Sequence, residues 1–376
     1  MRPVRIIHCG DFHFDTPFSE LSGTIAEQRK EDLRETFGRI VEHAQSERID
    51  LLLISGDLFD NQRVSRMTTD YLIHKLLSIP EVKVFISPGN HDPYHEKSYY
   101  HLISWPENVH IFKGDFEKVE LSELNTCVYG RGFTWSHQQE SLLKGFRIED
   151  PGKLNIMVLH GDVVLPGRSS DYNPISREEI KESGLDYLAL GHCHTYTDPE
   201  KAGETFWAYS GCPEGRAFDE LGDKGMLCGE LSKGSCRLTY RSLCKRQYLE
   251  INIDVTGCRT NEDITTKVIT GTHNLKSKQN LFKIILSGEL PEDFSLYPSV
   301  IQEKLRDKFY FVRIVDKTKT MIDFNKLTND FSLKGIFAKK IVERLEKTED
   351  PGEQKKLELA LKFGLHILEQ GKLGIE

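Results

Sequence analysis

From residue 1 to about residue 245 the chain repeats one pattern, a short run of Ile, Val and Leu that breaks into Gly, Asp and His. The runs read "VRIIHCGDFH", "DLLLISGDLFD", "VKVFISPGNHD", "LNIMVLHGD" and "DYLALGHCHT". Uninterrupted apolar runs of this length predict strands covered on both faces, and their polar ends predict a site at the carboxyl edge of an α/β sheet. Between the first two runs, Leu33, Phe37, Ile40, Val41 and Ala44 recur at the helical period and predict a crossover helix. The stretch "MTTDYLIHKLLSI" predicts a second.

Beyond residue 245 the pattern changes to alternation. "QYLEINIDVTG", "NLFKIILSGEL" and "KFYFVRIVDKT" predict strands, and "NEDITTKVITGTHNL" and "YPSVIQEKLRD" predict the helices between them. The expected organisation is therefore a domain over 1–245, a small β-α-β-α-β unit over 246–320, and a charged helical tail over 321–376 broken at Pro351 and Gly352. In the tail, Leu333, Ile336, Phe337, Ile341, Val342 and Leu345 form one apolar stripe, and Leu357, Leu361, Phe363, Leu365 and Leu368 form another.

Composition narrows the function. A net charge of -8 argues against coating nucleic acid through overall charge, although "SKGSCRLTYRSLCKRQ" carries Lys233, Arg237, Arg241, Lys245 and Arg246 without an acid. No apolar run approaches the ~20 residues that span a bilayer, so no membrane is expected as a partner. The first residues enter a strand at once, which predicts no signal peptide and a cytoplasmic location. Eight cysteines without a CxxC pair fit neither a zinc ribbon nor a disulfide framework.

The chemistry stands at the strand ends: Asp11 and His13, Asp57 and Asp60, Asn90 and His91, His160, then His192 and His194. In a strand, i and i+2 point the same way, so His192 and His194 are expected to reach one point. Gly56, Gly89 and Gly191 precede donors and are expected to permit tight turns. Carboxylate, imidazole and amide oxygen without thiolate suit manganese, iron or zinc, and manganese is the metal expected. About seven such donors imply two ions held roughly 3.5–4 Å apart, close enough to share one phosphate.

The ordered blocks resemble those of the calcineurin-like metallophosphoesterase superfamily. "GLDYLALGHCHT" followed by "AYSGCPEGRAFDELGDKG" is similar to DNA-repair exonuclease subunits of the SbcD type, in their YhaO-like branch. The resemblance covers about residues 1–245. It implies a four-layer β-sandwich flanked by helices, with a small α/β capping domain and a helical tail. It assigns one metal to Asp11, His13 and His194, the other to Asn90, His160 and His192, and makes Asp57 the bridge. His91 is then the group that stabilises charge or protonates the leaving oxygen. Asp60, where some members carry histidine, is the residue that orients a ligand.

The function so implied is a two-metal DNA exonuclease or endonuclease in a repair complex, its tail docking an SMC-like ATPase of the SbcC type; a homodimer is compatible with it. The alternative is a phosphoesterase for nucleotides or other small phosphoesters. A third reading, a binding scaffold without catalysis, fares poorly because every ligand position is filled.

Overall fold

The computed structural model describes residues 2–61, 63–321 and 331–370. These fall into two compact units. The first runs to Glu250 and takes in Leu275–Lys283 and Lys308–Phe311; the second comprises Ile251–Asn274, Ile284–Asp307 and the described chain from Val312 onward. The tail expected from residue 321 includes 322–330 and 371–376, which lie outside the described residues.

The first unit begins with the expected alternation of strands and helices: β1 (Val4–Cys9), α1 (Gly23–Ser46), β2 (Leu51–Ile54), α2 (Arg66–Leu77), β3 (Lys83–Ile86), the short α3 (Tyr99–Leu102) and β4 (Val109–Ile111). The chain then builds β5 (Glu117–Leu121), β6 (Thr126–Gly130) and β7 (Leu154–His160). After the short pair β8 (Val163–Val164) and β9 (Ile175–Ser176) come α4 (Arg177–Ser183), β10 (Tyr187–Gly191), β11 (Glu200–Ala202) and β12 (Thr205–Tyr209). A hairpin of β13 (Gly225–Ser232) and β14 (Ser235–Ser242) returns to the start. The result is two six-stranded sheets, ordered β14-β13-β1-β2-β3-β4 and β11-β12-β10-β7-β6-β5.

Side-chain alternation explains why these strands read as continuous apolar runs. Along β2, Leu51 and Leu53 pack between the sheets with Ile156 and Val158 of β7, while Leu52 and Ile54 pack outward on Leu33, Phe37 and Ile40 of α1. On β10, Ala189 faces the first sheet, whereas Leu188 and Leu190 face Ile180 of α4. The central strands have an apolar layer on both sides, giving the four layers helix, sheet, sheet, helix. The parallel pairings β1 with β2, β2 with β3, and β7 with β10 bring the carboxyl ends within each sheet to one edge.

One polar cluster lies inside this unit. Arg29 of α1 is fully buried; it donates to Asp32 at 2.9 Å, to Glu214 at 2.7 Å and to the Gly215 carbonyl at 3.0 Å. Arg246 closes the network on Asp32 at 2.7 Å, and the Thr36 hydroxyl donates to Glu214 at 2.7 Å.

In the second unit β15 (Tyr248–Asp254), β16 (Leu281–Ser287) and β18 (Phe311–Asp316) form a sheet in the order β15-β16-β18, while β17 (Glu289–Leu290) pairs with β19 (Lys319–Thr320). Helices α5 (Asn261–Thr272) and α6 (Pro298–Leu305) fill the two connections. Thr260 and Asp263 form a capping box that starts α5, satisfying amides the first turn leaves open. Helices α7 (Leu333–Leu345) and α8 (Pro351–Gln370) pack on each other through Phe337, Ala338, Ile341, Val342, Leu345, Leu361 and Leu365. Among the described residues no helix is long and apolar enough to cross a membrane.

Removing one partner from a buried ion network strands the other charges in a medium that solvates them poorly. Arg29→Ala is expected to cost roughly 3–5 kcal/mol in urea unfolding, whereas Lys30→Ala, which removes the surface pair with Glu27, stays within about 1 kcal/mol.

Candidate metal centre

The five donor blocks leave the carboxyl ends of β1, β2, β3, β7 and β10, and the backbone there is bent hard. Asp11 (φ 53°), His13 (φ 48°), Asp57 (φ 47°) and His192 (φ 100°) all sit at positive φ. For residues with a Cβ such conformations cost roughly 1–3 kcal/mol each and persist only where the surroundings enforce them. The enforcing contacts are Asp11 N–H to the Gly56 carbonyl and His13 N–H to the Asp57 carbonyl, both 2.9 Å, and His192 N–H to Asp11 Oδ1 at 3.0 Å.

Asp57 stands in the middle. Its Oδ1 accepts from the His91 amide at 2.9 Å, which leaves Oδ2 at 3.5 Å from His13 Nε2 and 3.5 Å from His160 Nε2. On one side His13 Nε2 lies 3.3 Å from His194 Nε2, and His194 Nε2 lies 3.8 Å from Asp11 Oδ1. On the other, Asn90 Oδ1 lies 2.9 Å from His160 Nε2 and 3.2 Å from His192 Nδ1. Asp11, His13 and His194 thus offer ligand atoms to one point, as do Asp11, Asp57 and His160, and also His13, Asp60 and His91.

The placement of protons shows what this arrangement suits. His160 Nδ1 is 2.8 Å from the Ser55 carbonyl, which can only accept, so the ring proton sits on Nδ1 and the Nε2 lone pair faces the Asn90 oxygen. Burial pushes His160 and His192 down to about 4 and His13 well below its ordinary value, so the rings stay neutral. Burial, reinforced by Asp57, pushes Asp11 up to about 8; burial also raises Asp57. Lone pairs and desolvated carboxylates converge where only a cation satisfies them all, so the residues fit divalent metal.

Two glycines turn out to be needed for space rather than for turning. A Cβ on Gly191 would lie 1.9 Å from the Ser55 carbonyl oxygen, and one on Gly89 would lie 2.2 Å from Asp57 Oδ1. Gly56, at φ +93°, does make the expected turn. The expectation that His192 and His194 share a strand face does not hold. Strand β10 ends at Gly191, the positive φ at His192 turns the chain, and the two rings face different neighbours, Asn90 and His13.

His91 is about half exposed; its Nδ1 lies 3.0 Å from the Asp60 carbonyl, to which it can only donate, and its ring meets His13 edge-on at 4.6 Å. The Asp60 carboxylate lies 3.3 Å from His13 Nδ1 and 3.6 Å from Arg216. The basic stripe that ends the first unit is largely consumed: Lys233 pairs with Asp186, Arg237 with Glu230, and Lys245 and Arg246 with Asp32. Glu230 faces Arg237 across the β13–β14 hairpin, while Asp186 and Asp32 come from distant parts of the chain, so composition of the stretch alone overstated a free cationic track.

Four residues escaped the sequence reading. Asp92 accepts from the amides of Gly89 and Phe59 and from the Tyr100 hydroxyl, fastening the loop after β3 to the loop after β2; its signal was the final letter of "GNHD". Asp162 lies 3.4 Å from His192 Nε2. Glu220 accepts from His194 Nδ1 at 2.7 Å, and Arg216 grips Glu220 at 2.8 Å. Burial opposes ionisation of Glu220, but the His194 hydrogen bond and the Arg216 charge outweigh it and hold the carboxyl well below its usual range.

Residues 4–196 match the family described as calcineurin-like phosphoesterase. The chain belongs to that family. Its relatives include a Bacillus subtilis protein described as an uncharacterized metallophosphoesterase, YhaO, 27% identical over 356 residues that cover 89% of this chain and 86% of that one. The DNA double-strand break repair protein Mre11 of Methanopyrus kandleri is 23% identical over 71% of this chain and 63% of its own length. A component of the nuclease SbcCD from Staphylococcus epidermidis is 23% identical over 58% of this chain and 63% of its own length. As a calcineurin-like phosphoesterase the chain is a phosphoester hydrolase that binds divalent metal.

A carboxyl raised to about 8 is protonated at pH 7 and must lose its proton to bind a cation. Metal uptake by the metal-free protein at pH 7 is therefore expected to release ~1 proton through Asp11, with affinity falling as pH drops from 8 toward 6. Calorimetric titration in two buffers of different ionisation enthalpy measures the release; heats independent of buffer would contradict it.

Proposed function

We propose that this phosphoesterase is a two-metal DNA nuclease, manganese-dependent, working as the nuclease subunit of a repair complex with an SMC-like ATPase. The observation that carries it is the position of Asp57 Oδ2, 3.5 Å from the Nε2 atoms of both His13 and His160, which suits one carboxylate shared between two cations. In this reading Asp11, His13 and His194 hold one ion, Asn90, His160 and His192 hold the other, and Asp57 serves both. Bound cations supply the positive charge that polarises a phosphoryl group and acidifies a water.

The chain's own residues do the rest. His91 donates from Nδ1 to the Asp60 carbonyl, so a protonated ring presents Nε2–H from a half-exposed position at the edge of the site, suited to protonating a leaving sugar oxygen. Asp60 lies against the outer nitrogen of His13 and orients that ring rather than touching the reacting atoms. DNA as substrate is supported by the names of the Mre11 and SbcCD relatives. Residues 246–320 are proposed to engage the DNA.

The tail is the proposed dock for the ATPase. Helices α7 and α8 use part of their stripes on each other, yet Leu333, Ile336, Leu359, Phe363 and Leu368 remain exposed. An apolar helical face laid into a partner's groove is a common recognition mode.

Cleavage of end-labelled DNA against p-nitrophenyl phosphate in manganese separates the nuclease from a small-molecule phosphoesterase; turnover of the latter alone would refute the reading. In the same assay Asp57→Asn is expected to lose both metal and activity, and His91→Ala to lose roughly 10²-fold or more in rate while keeping its metal. Ending the chain near residue 325 is expected to leave a metal-loaded nuclease that no longer copurifies with the ATPase. An insoluble or markedly less heat-stable product would assign the stripes to the protein's own core.

A further inference from the structure

We propose that Glu220 and Arg216 are positioning residues that fix the tautomer of His194, and that this proton choice decides whether one cation of the pair is held. The inference rests on His194 being a ligand in the reading above. His194 Nδ1 lies 2.7 Å from Glu220 Oε1 and 3.0 Å from Arg216 Nη2. These neighbours make opposite demands, since a carboxylate only accepts and a guanidinium only donates.

If Nδ1 carries the proton and gives it to Glu220, the lone pair is on Nε2, which lies 3.3 Å from His13 Nε2 and 3.8 Å from Asp11 Oδ1. If Nδ1 instead accepts from Arg216, the proton moves to Nε2 and that nitrogen cannot bind a cation. Glu220 wins because Arg216 is already committed to it. The guanidinium donates to Glu220 from Nη2 at 2.8 Å and Nε at 3.2 Å, and the Arg216 amide donates at 2.7 Å. Arg216 thus holds the carboxylate that overrules it.

The backbone of His194 has separate anchors. Its carbonyl accepts from Lys224 Nζ at 3.2 Å and from the Cys212 amide at 3.3 Å. Loss of Glu220 therefore leaves the residue in place and changes which nitrogen is protonated. The other half of the centre differs, because His160 Nδ1 gives its proton to the Ser55 carbonyl, which no side-chain substitution removes.

The test is calorimetric titration of the metal-free full chain with Mn²⁺ in the absence of DNA. Glu220→Ala is expected to weaken one of two ions by about 10–100-fold and spare the other. Glu220→Ala combined with Arg216→Ala is expected to regain part of that affinity, since the competing donor is gone; a packing role would make the double variant the weaker. Should Glu220→Ala fail to fold by circular dichroism, Glu220→Gln, whose amide oxygen still accepts from Nδ1, is expected to bind both ions nearly as the natural chain does. Unchanged binding by Glu220→Ala, a double variant no better than the single, or loss of an ion in Glu220→Gln would overturn the proposal. His194→Ala run alongside separates the two levels: if it keeps both ions, the ligand assignment falls and this inference with it, whereas absence of DNA cleavage touches only the nuclease reading.

Discussion

Two carboxylates buried side by side, Asp11 and Asp57, are the constraint on which the rest of the site depends. Water is excluded from both, each raises the cost of ionising the other, and burial keeps the rings of His13, His160 and His192 neutral. A protein does not gather such groups for stability, because each desolvated charge works against folding. The left-handed backbone at four of the donors and the glycines that admit backbone to within a Cβ radius of Ser55 and Asp57 make sense as the means of forcing donors together. The four-layer sandwich supplies the rigidity, since the bent loops spring from strands packed on both faces.

Much of this was legible in sequence because it is local. The apolar runs, the crossover helices and the ordered donor blocks each depend on residues a few positions apart, and Asp11, His13, Asp57, Asn90, His160, His192 and His194 do converge in space. What escaped was set by partners far along the chain. Whether the strand carrying "GHCH" continues past Gly191 depends on a hydrogen bond from the His192 amide to the carboxylate of Asp11, 181 residues away. The cations Lys233, Lys245 and Arg246 looked free until Asp186 and Asp32 were placed beside them. Glu220 carries no spacing signal toward His194, since β11, β12 and an irregular loop separate them.

The strands β15, β16 and β18 and the helices between them were readable for a similar reason, their periodicity being a short-range pattern. The apolar stripes of α7 and α8 illustrate the limit. Periodicity identified which residues line a helix face, but only packing divides Phe337, Ile341 and Leu365, which serve the hairpin, from Ile336 and Phe363, which face solvent.

The buried network around Arg29 bears on how this chain can diverge. Arg29 and Arg246 balance Asp32 and Glu214 out of reach of water, and Glu214 precedes Arg216 by two residues in the loop that embraces His194. A lone substitution leaves an unmatched charge, whereas simultaneous replacement by apolar residues of similar volume removes the imbalance altogether. The four positions are therefore physically coupled, and a change in helix α1 is expected to be tolerated only together with a matching change in a loop nearly two hundred residues downstream.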